Sequence, residues 1–214
     1  MNKRVLILVT ALCCMALPAG AQFVDMGTDP GSVRWSTRQG PNFKLYFPEQ
    51  TDSIAQLYLR SLEKYRPLVG ASIGALPNEM YRRPMTTLLH PFTSDSNGSV
   101  SWAPRRMDLY ALPSPYAPEP FPWIDQLTIH ESRHVSQMQF SRRGVFNKLY
   151  WFFGQSATAV LLVPYGNPAF LEGDAVTAET ALTNSGRGRT ADFLEYMQVA
   201  FDSGDWRDWY RWRY

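Results

Sequence analysis

The 214-residue chain carries 21 Lys and Arg against 19 Asp and Glu, so its formal net charge at pH 7 is only +2. This balance, together with the lack of a basic run, argues against a nucleic-acid-binding protein. Hydrophobic residues make up 45% of the chain, which is enough for one domain with a sizeable core.

Residues 1–21 have the layout of a secretory signal peptide. Two basic residues precede an apolar core at residues 5–17, and Ala19-Gly20-Ala21 fits the small-x-small cleavage pattern. The core is short for a bilayer span; an uncleaved anchor is the alternative. Both cysteines lie in this core, so cleavage would leave residues 22–214 as an exported domain without disulfides. We expect this domain in the periplasm or cell envelope.

The first part of the exported chain predicts two strands and a helix. Residues 42–47 alternate between apolar and polar side chains, as in a half-buried strand. A helix with one apolar side follows and is expected to stop before Pro67. Residues 85–89 are apolar and β-branched and predict a second strand. We interpret His90, which follows that strand, as a histidine satisfied by a local hydrogen bond.

The next stretch predicts a third strand and a linker. A turn signal at residues 94–98 precedes a run, Ser99 to Leu112, that alternates enough for a strand. Five prolines between residues 113 and 122 then predict a stiff, extended linker. We expect the following helix to have its first turn near residues 122–125.

That helix carries the motif His130-Glu131-x-x-His134. Residues i and i+4 of a helix project from one face, so the two histidines can offer nitrogens to a single metal ion. Glu131 is placed to take a proton from a water molecule bound to that metal. The helical interpretation is supported by a common apolar stripe, which is formed by Ile124, Leu127, Val135 and Met138.

Residues 145–163 are strongly apolar and leave three interpretations open: a bilayer span, a helical insertion that packs on the core, or a hydrophobic flap. Such a flap would touch a membrane surface or line the cleft. Polar residues interrupt the run. A single crossing here would also separate His134 from any metal ligand downstream, so we favour the insertion or the flap.

A second helix, which is expected to start near Pro168, offers the missing ligand. Catalytic zinc usually has three protein ligands. His90 is the other histidine, but Glu172 is the better candidate because small residues around it allow a close approach of the two helices. Glu179 lies seven residues on, on the same face, and could orient a histidine.

The remaining chain predicts a flexible basic loop at residues 184–189 and a further helix from Thr190 to Phe201. The ending, residues 205–214, is too aromatic for a free tail. We therefore expect the chain to be the N-terminal part of a longer protein.

The His-Glu-x-x-His motif followed by Leu171-Glu172-Gly173-x-Ala175-x-x-x-Glu179 resembles the gluzincin metallopeptidases, the aminopeptidase-N-like and thermolysin-like group. The resemblance, which covers roughly residues 84–203, implies that His130, His134 and Glu172 bind Zn²⁺ and that Glu131 is the general base. Glu179 matches an acidic position seven residues after the third ligand. The 37 residues between His134 and Glu172 are about twice the family's usual gap, which implies an insertion.

The resemblance also implies a way of binding substrate. Gluzincins hold an extended peptide against an edge strand above the zinc, through main-chain hydrogen bonds. Residues 99–112 would supply that strand, and its candidate substrate-binding residues are Trp102, Arg105 and Tyr110. Tyr196 and Tyr210 are candidates for the donor that stabilises the oxyanion. Longer exported proteins that resemble this chain often continue into β-propeller repeats.

These expectations combine into an α+β fold: a small N-terminal mixed sheet with an edge strand over the cleft, followed by a mainly helical half that carries the zinc site. The first functional hypothesis is zinc-dependent hydrolysis of peptide bonds in a peptide or protein substrate of the cell envelope. The second, from a different class, is a degenerate peptidase-like zinc domain that binds envelope partners without chemistry.

Overall fold

A computed structural model of the chain describes residues 29–74, 83–113, 115, 122–157 and 168–204. The predicted signal peptide, most of the proline-rich linker and the end of the apolar run lie outside the described residues, as does the aromatic ending. The fold is α+β, as the sequence predicts: a five-stranded mixed sheet is followed by a mainly helical half.

The sheet has the strand order β1-β2-β3-β5-β4, with β1 and β4 at its edges. The inner pairs β2–β3 and β3–β5 are parallel, whereas each edge strand pairs antiparallel with its neighbour. Strand β1 was not predicted, because it buries no residue and its alternation is only between exposed and half-buried side chains. The strands are Trp35–Gln39 (β1), Phe43–Pro48 (β2), Met85–His90 (β3), Gly98–Trp102 (β4) and Arg105–Tyr110 (β5).

The core lies between one face of this sheet and the first two helices. Strand β2 buries alternate residues, as its sequence pattern predicts, and β3 does the same. The helices are Asp52–Ser72 (α1), Trp123–Phe140 (α2), Val145–Phe153 (α3), Pro168–Ala181 (α4) and Ala191–Asp202 (α5). Three residues of α1 and two of α2 complete the core: Ala55, Tyr58, Leu62, Leu127 and Val135.

Helix α1 does not stop before Pro67, as the sequence predicted, but continues for another turn. The residues beyond the proline explain why. Val69 is fully buried and packs with Ile129 of α2 and Ala178 of α4, and its carbonyl oxygen faces Arg133. Burial of the last turn therefore outweighs the hydrogen bond that the proline cannot donate.

The predicted strand from Ser99 to Leu112 is in fact two strands, β4 and β5, joined by a two-residue turn into a hairpin. The alternation continues across the turn and hides it. The hairpin changes the position of the predicted substrate-binding residues, because β5 is an inner strand and only β4 lies at the edge. Trp102 and Tyr110 have buried side chains rather than exposed ones.

Helix α2 passes between α1 and α4, and β4 lies across its other side. Its apolar stripe packs on the core, as predicted: Leu127 and Val135 are buried, and Ile124 and Met138 pack against them. In the described part of the apolar run, α3 has no buried residue, so the core-packing interpretation does not hold for it. No helix among the described residues is both long and apolar enough for a bilayer crossing.

Candidate metal centre

Helix α2 presents His130 and His134 on one face, one turn apart. Their rings meet edge to face with centroids 4.7 Å apart, and the two Nε2 atoms are separated by 3.0 Å. Both side chains are largely enclosed, because α1, α4 and β4 surround this helix. The two ring nitrogens therefore point at one small volume inside the molecule.

Glu172 of α4 brings its carboxylate to the same volume. One oxygen lies 3.1 Å from His130 Nε2, and the other lies 3.5 Å from His134 Nε2. A tetrahedral ion with ligand bonds near 2.1 Å would separate its ligand atoms by roughly 3.4 Å. The observed separations, in which each nitrogen is nearest to a different oxygen of Glu172, are close to that edge length, and two imidazole nitrogens with a carboxylate are a donor set that zinc accepts. These residues fit a zinc ion.

Glu131 lies next to this cluster, and its carboxylate is almost completely buried. Its Oε2 atom has no hydrogen-bond partner among the described residues, although it is inaccessible to solvent. Burial raises the pKa of Glu131, because a charged carboxylate is poorly solvated there. A buried carboxylate oxygen without a protein partner is costly, which makes Glu131 a candidate for a functional role.

Glu179 lies about two turns after Glu172 on α4 and contacts His130 on the Nδ1 side of the ring. Its side chain is fully buried, and its Oε1 atom is 2.5 Å from His130 Nδ1. An ionised carboxylate only accepts hydrogen bonds, so Nδ1 carries the proton and Nε2 is left free to bind a metal. The predicted role for Glu179, orientation of a histidine, is compatible with this contact.

The second histidine is oriented by a residue that the sequence analysis missed, Gln137. Its Oε1 atom lies 2.9 Å from His134 Nδ1, and its amide nitrogen donates to Leu171 and Asp174 of α4. Arg133 also binds Asp174 with two hydrogen bonds of 2.7 Å. The turn of α2 around His134 is thus fixed to α4. The i+3 spacing from His134 to Gln137 could have indicated this contact.

The charges of the metal-free cluster complement one another. Burial alone lowers the pKa of His130, but hydrogen bonds with Glu172 and Glu179 outweigh it and raise the pKa to about 9. Hydrogen bonds with His130 and His134 hold the pKa of Glu172 well below its usual range. A metal ion would replace the proton at the centre of this arrangement, and the carboxylates that favour the proton also favour a cation.

The loop after α4, predicted to be flexible, instead folds back against α4 and extends Arg187 into the site. The guanidinium group donates to both oxygens of Glu179, over 3.1 Å and 2.5 Å. Arg187 was not among the predicted site residues. Its signal was an arginine between two glycines, Gly186 and Gly188, which is typical of a backbone that packs closely on a neighbour.

The cluster opens into a cavity of about 640 Å³. Its wall is formed by α2, α4, Arg187 and the edge strand β4, which contributes Gly98, Ser99 and Val100. The predicted substrate-binding residues Trp102, Arg105 and Tyr110 do not belong to this wall. Trp102 lies in the core, and Arg105 donates to the carbonyl oxygen of Arg83. The Tyr196 side chain and Tyr210 lie outside the described residues.

His90 does not belong to the cluster. It is satisfied by hydrogen bonds as predicted, but its partners are distant in the chain rather than local. Its Nδ1 atom is 2.7 Å from Asp29, and its Nε2 atom is 3.0 Å from Asp108. The ring also stacks on Tyr110 with centroids 5.1 Å apart. Both nitrogens of His90 are therefore engaged.

Comparisons of the chain with known protein families, with curated proteins and with solved structures found no match. The geometry of the cluster and the sequence motifs therefore carry the functional argument.

Proposed function

We propose that this protein is a zinc-dependent hydrolase of peptide bonds, of the gluzincin type, that is exported to the cell envelope. One observation carries the proposal. The Nε2 atoms of His130 and His134 lie 3.0 Å apart, each has an oxygen of the Glu172 carboxylate within 3.5 Å, and the buried carboxylate of Glu131 lies beside them. The motif His-Glu-x-x-His with a downstream glutamate gives the same assignment.

His130, His134 and Glu172 would hold the zinc ion. When bound, zinc lowers the pKa of a water ligand towards neutrality and polarises a carbonyl group. Glu131 would accept the proton as water attacks the carbonyl carbon of the substrate, and would then give it to the leaving amine. Its enclosed position suits this task, because burial raises the pKa of Glu131 and so makes its carboxylate a stronger base.

The substrate would be an extended peptide or protein segment. Strand β4 is an edge strand and borders the cavity at Gly98, Ser99 and Val100, so its outer backbone can pair with a further strand. This assigns substrate binding to the backbone of β4 rather than to Trp102, Arg105 and Tyr110.

The first test uses Glu131→Gln, which keeps the shape of the side chain and removes the base. We expect the purified variant to retain one zinc ion per chain and to hydrolyse a quenched-fluorescence peptide library at least about 100-fold more slowly. Zinc content distinguishes the two roles: His134→Ala should lose the metal. His90→Ala is the matched control, because it removes a histidine outside the cluster and should retain the metal. Undiminished hydrolysis by Glu131→Gln would refute the proposal.

A second candidate is a degenerate domain of the same kind that binds envelope partners and catalyses nothing. It is favoured by the cavity wall, which contains no tyrosine among the described residues to stabilise an oxyanion. Turnover by the purified wild-type protein that stops on chelation of zinc and returns on its addition would rule this candidate out.

A further inference from the structure

Arg187 is the residue on which a further inference rests. Glu179 lies at the bottom of the site with no exposed surface, so its carboxylate depends entirely on protein groups for hydrogen bonds. Three groups surround it: the Nδ1 atom of His130, the amide of Gln126 at 3.3 Å, and the guanidinium group of Arg187. Among these contacts, only Arg187 donates hydrogen bonds to both carboxylate oxygens.

The atoms around His130 Nδ1 show which of these contacts are hydrogen bonds. The nearer guanidinium nitrogen lies 2.8 Å from Nδ1, but a guanidinium group has no acceptor and Nδ1 carries a proton when it donates to Glu179. The two N–H groups therefore converge on the same carboxylate oxygen and do not bond each other. Arg187 acts on His130 through Glu179, from the side opposite the metal ligands.

The loop that carries Arg187 is fastened to α4 at several points. The Gly188 amide donates to the hydroxyl of Thr180 over 3.1 Å. Gly186 has a φ of +107°, and a Cβ atom there would lie 2.9 Å from the backbone of Thr180. This close approach of the loop to α4 fixes the position from which Arg187 reaches Glu179.

We propose that Arg187 is a positioning residue of the metal centre: by holding Glu179 it fixes the tautomer and ring orientation of His130, so that Nε2 faces the metal. The inference rests on the proposed function, because it concerns the same zinc site. Hydrogen-bonding partners behind a metal-binding histidine typically change metal affinity by about 10- to 100-fold. Arg187 binds Glu179, which in turn binds His130, so Arg187 acts on the histidine through one further hydrogen-bonded residue.

The experiment compares Arg187→Ala with Arg189→Ala, a control that removes the same charge from the same loop. The Arg189 side chain is exposed, and its hydrogen bond among the described residues goes to the Thr180 carbonyl oxygen over 3.1 Å. Zinc affinity is measured by competition with a chelating dye, and the visible absorption spectrum of the Co²⁺-loaded protein reports ligand geometry. We expect Arg187→Ala to bind zinc about tenfold or more weakly and to shift the Co²⁺ bands. Arg189→Ala should match the wild type in both measurements.

Arg187→Lys tests the same point without loss of charge, and it remains informative if Arg187→Ala does not fold. A single ammonium group cannot reproduce the two-pronged contact, so we expect an affinity between those of the wild type and Arg187→Ala. In a double-mutant cycle, Glu179→Gln with Arg187→Ala should bind zinc no more weakly than Glu179→Gln alone, because Arg187 acts through Glu179.

The outcomes separate the two proposals. If the wild type binds no zinc, both fall. If the wild type binds zinc in a manner that requires His134, but Arg187→Ala and Arg187→Lys bind it like Arg189→Ala, the proposed function stands and the role of Arg187 is overturned. Additive losses in the double-mutant cycle would also overturn it, since they would mean that Arg187 acts independently of Glu179.

Discussion

At the scale of single residues, the position of Glu131 depends on the absence of a side chain at Gly98. A Cβ atom at Gly98 of β4 would lie 2.5 Å from Glu131 Oε1 and 2.7 Å from its Cδ atom. The carboxylate therefore occupies the space where any other residue at position 98 would place its side chain. The edge strand and the proposed general base are fitted to each other.

The substitution Gly98→Ala should therefore displace the carboxylate of Glu131 while leaving the three proposed ligands in place. A displacement of about 1 Å at a catalytic group can cost about 100-fold in rate, and we expect a loss of hydrolysis of that order with zinc content unchanged. The measurements are metal analysis and the hydrolysis rate of the quenched peptide library. Wild-type hydrolysis by Gly98→Ala would contradict the prediction.

Gly40 provides a matched control for this substitution. It is a second glycine whose added Cβ would meet a carboxylate, that of Glu63, far from the cavity. Glu63 accepts hydrogen bonds from the backbone of Asn42 and Phe43. Gly40→Ala should thus lower the free energy of unfolding and leave the specific activity of the folded protein unchanged.

At the scale of elements, the helices and strands with an uninterrupted apolar pattern could be predicted from the sequence. Strand β2 and helix α2 each bury a regular stripe, so periodicity alone was enough to find them. The ligand pair on α2 followed from helix geometry in the same way. Glu172 was harder to select, because 37 residues separate it from His134; the small residues around it and the motif that ends at Glu179 were the signals.

The elements that sequence reasoning misjudged depend on contacts that are distant in the chain. The β4–β5 hairpin keeps its alternation through the turn, and Pro104 in the two-residue turn is the local signal that marks the break. Gln137 and Arg187 gain their roles only because α4 lies against α2. Helix α1 passes through Pro67 because residues on other helices bury its last turn.

Pro67 allows a prediction at this scale. An interior proline costs a helix about 3 kcal/mol, whereas its restriction of the unfolded chain returns about 1 kcal/mol. Because Pro67 is exposed, its replacement opens no cavity in the core. We expect Pro67→Ala to raise the free energy of unfolding in urea by about 2 kcal/mol, with zinc affinity unchanged. Leu68→Ala, a substitution at the exposed neighbouring residue, serves as the control. A free energy of unfolding of Pro67→Ala equal to or lower than that of the wild type would contradict the prediction.

At the scale of the whole molecule, helix α3 exposes large aromatic side chains to solvent. Trp151 and Phe152 are 80% and 77% exposed, and the helix buries none of its residues. The chain has no Asp or Glu between Ser132 and Leu171, while Arg142, Arg143 and Lys148 lie on or beside this helix. Exposed aromatic residues flanked by cations are typical of a helix that lies in the interface of an anionic membrane.

We therefore predict that the protein binds lipid vesicles through α3. Two aromatic side chains that leave water contribute about 2 kcal/mol each, so Trp151→Ser with Phe152→Ser should weaken binding more than tenfold. Flotation with phosphatidylglycerol vesicles measures this effect, and phosphatidylcholine vesicles test the contribution of charge. The matched control, Phe193→Ser with Leu194→Ser, removes two exposed apolar residues from α5 and should float like the wild type. Equal losses in the two double variants, or no flotation of the wild type, would refute a membrane role for α3.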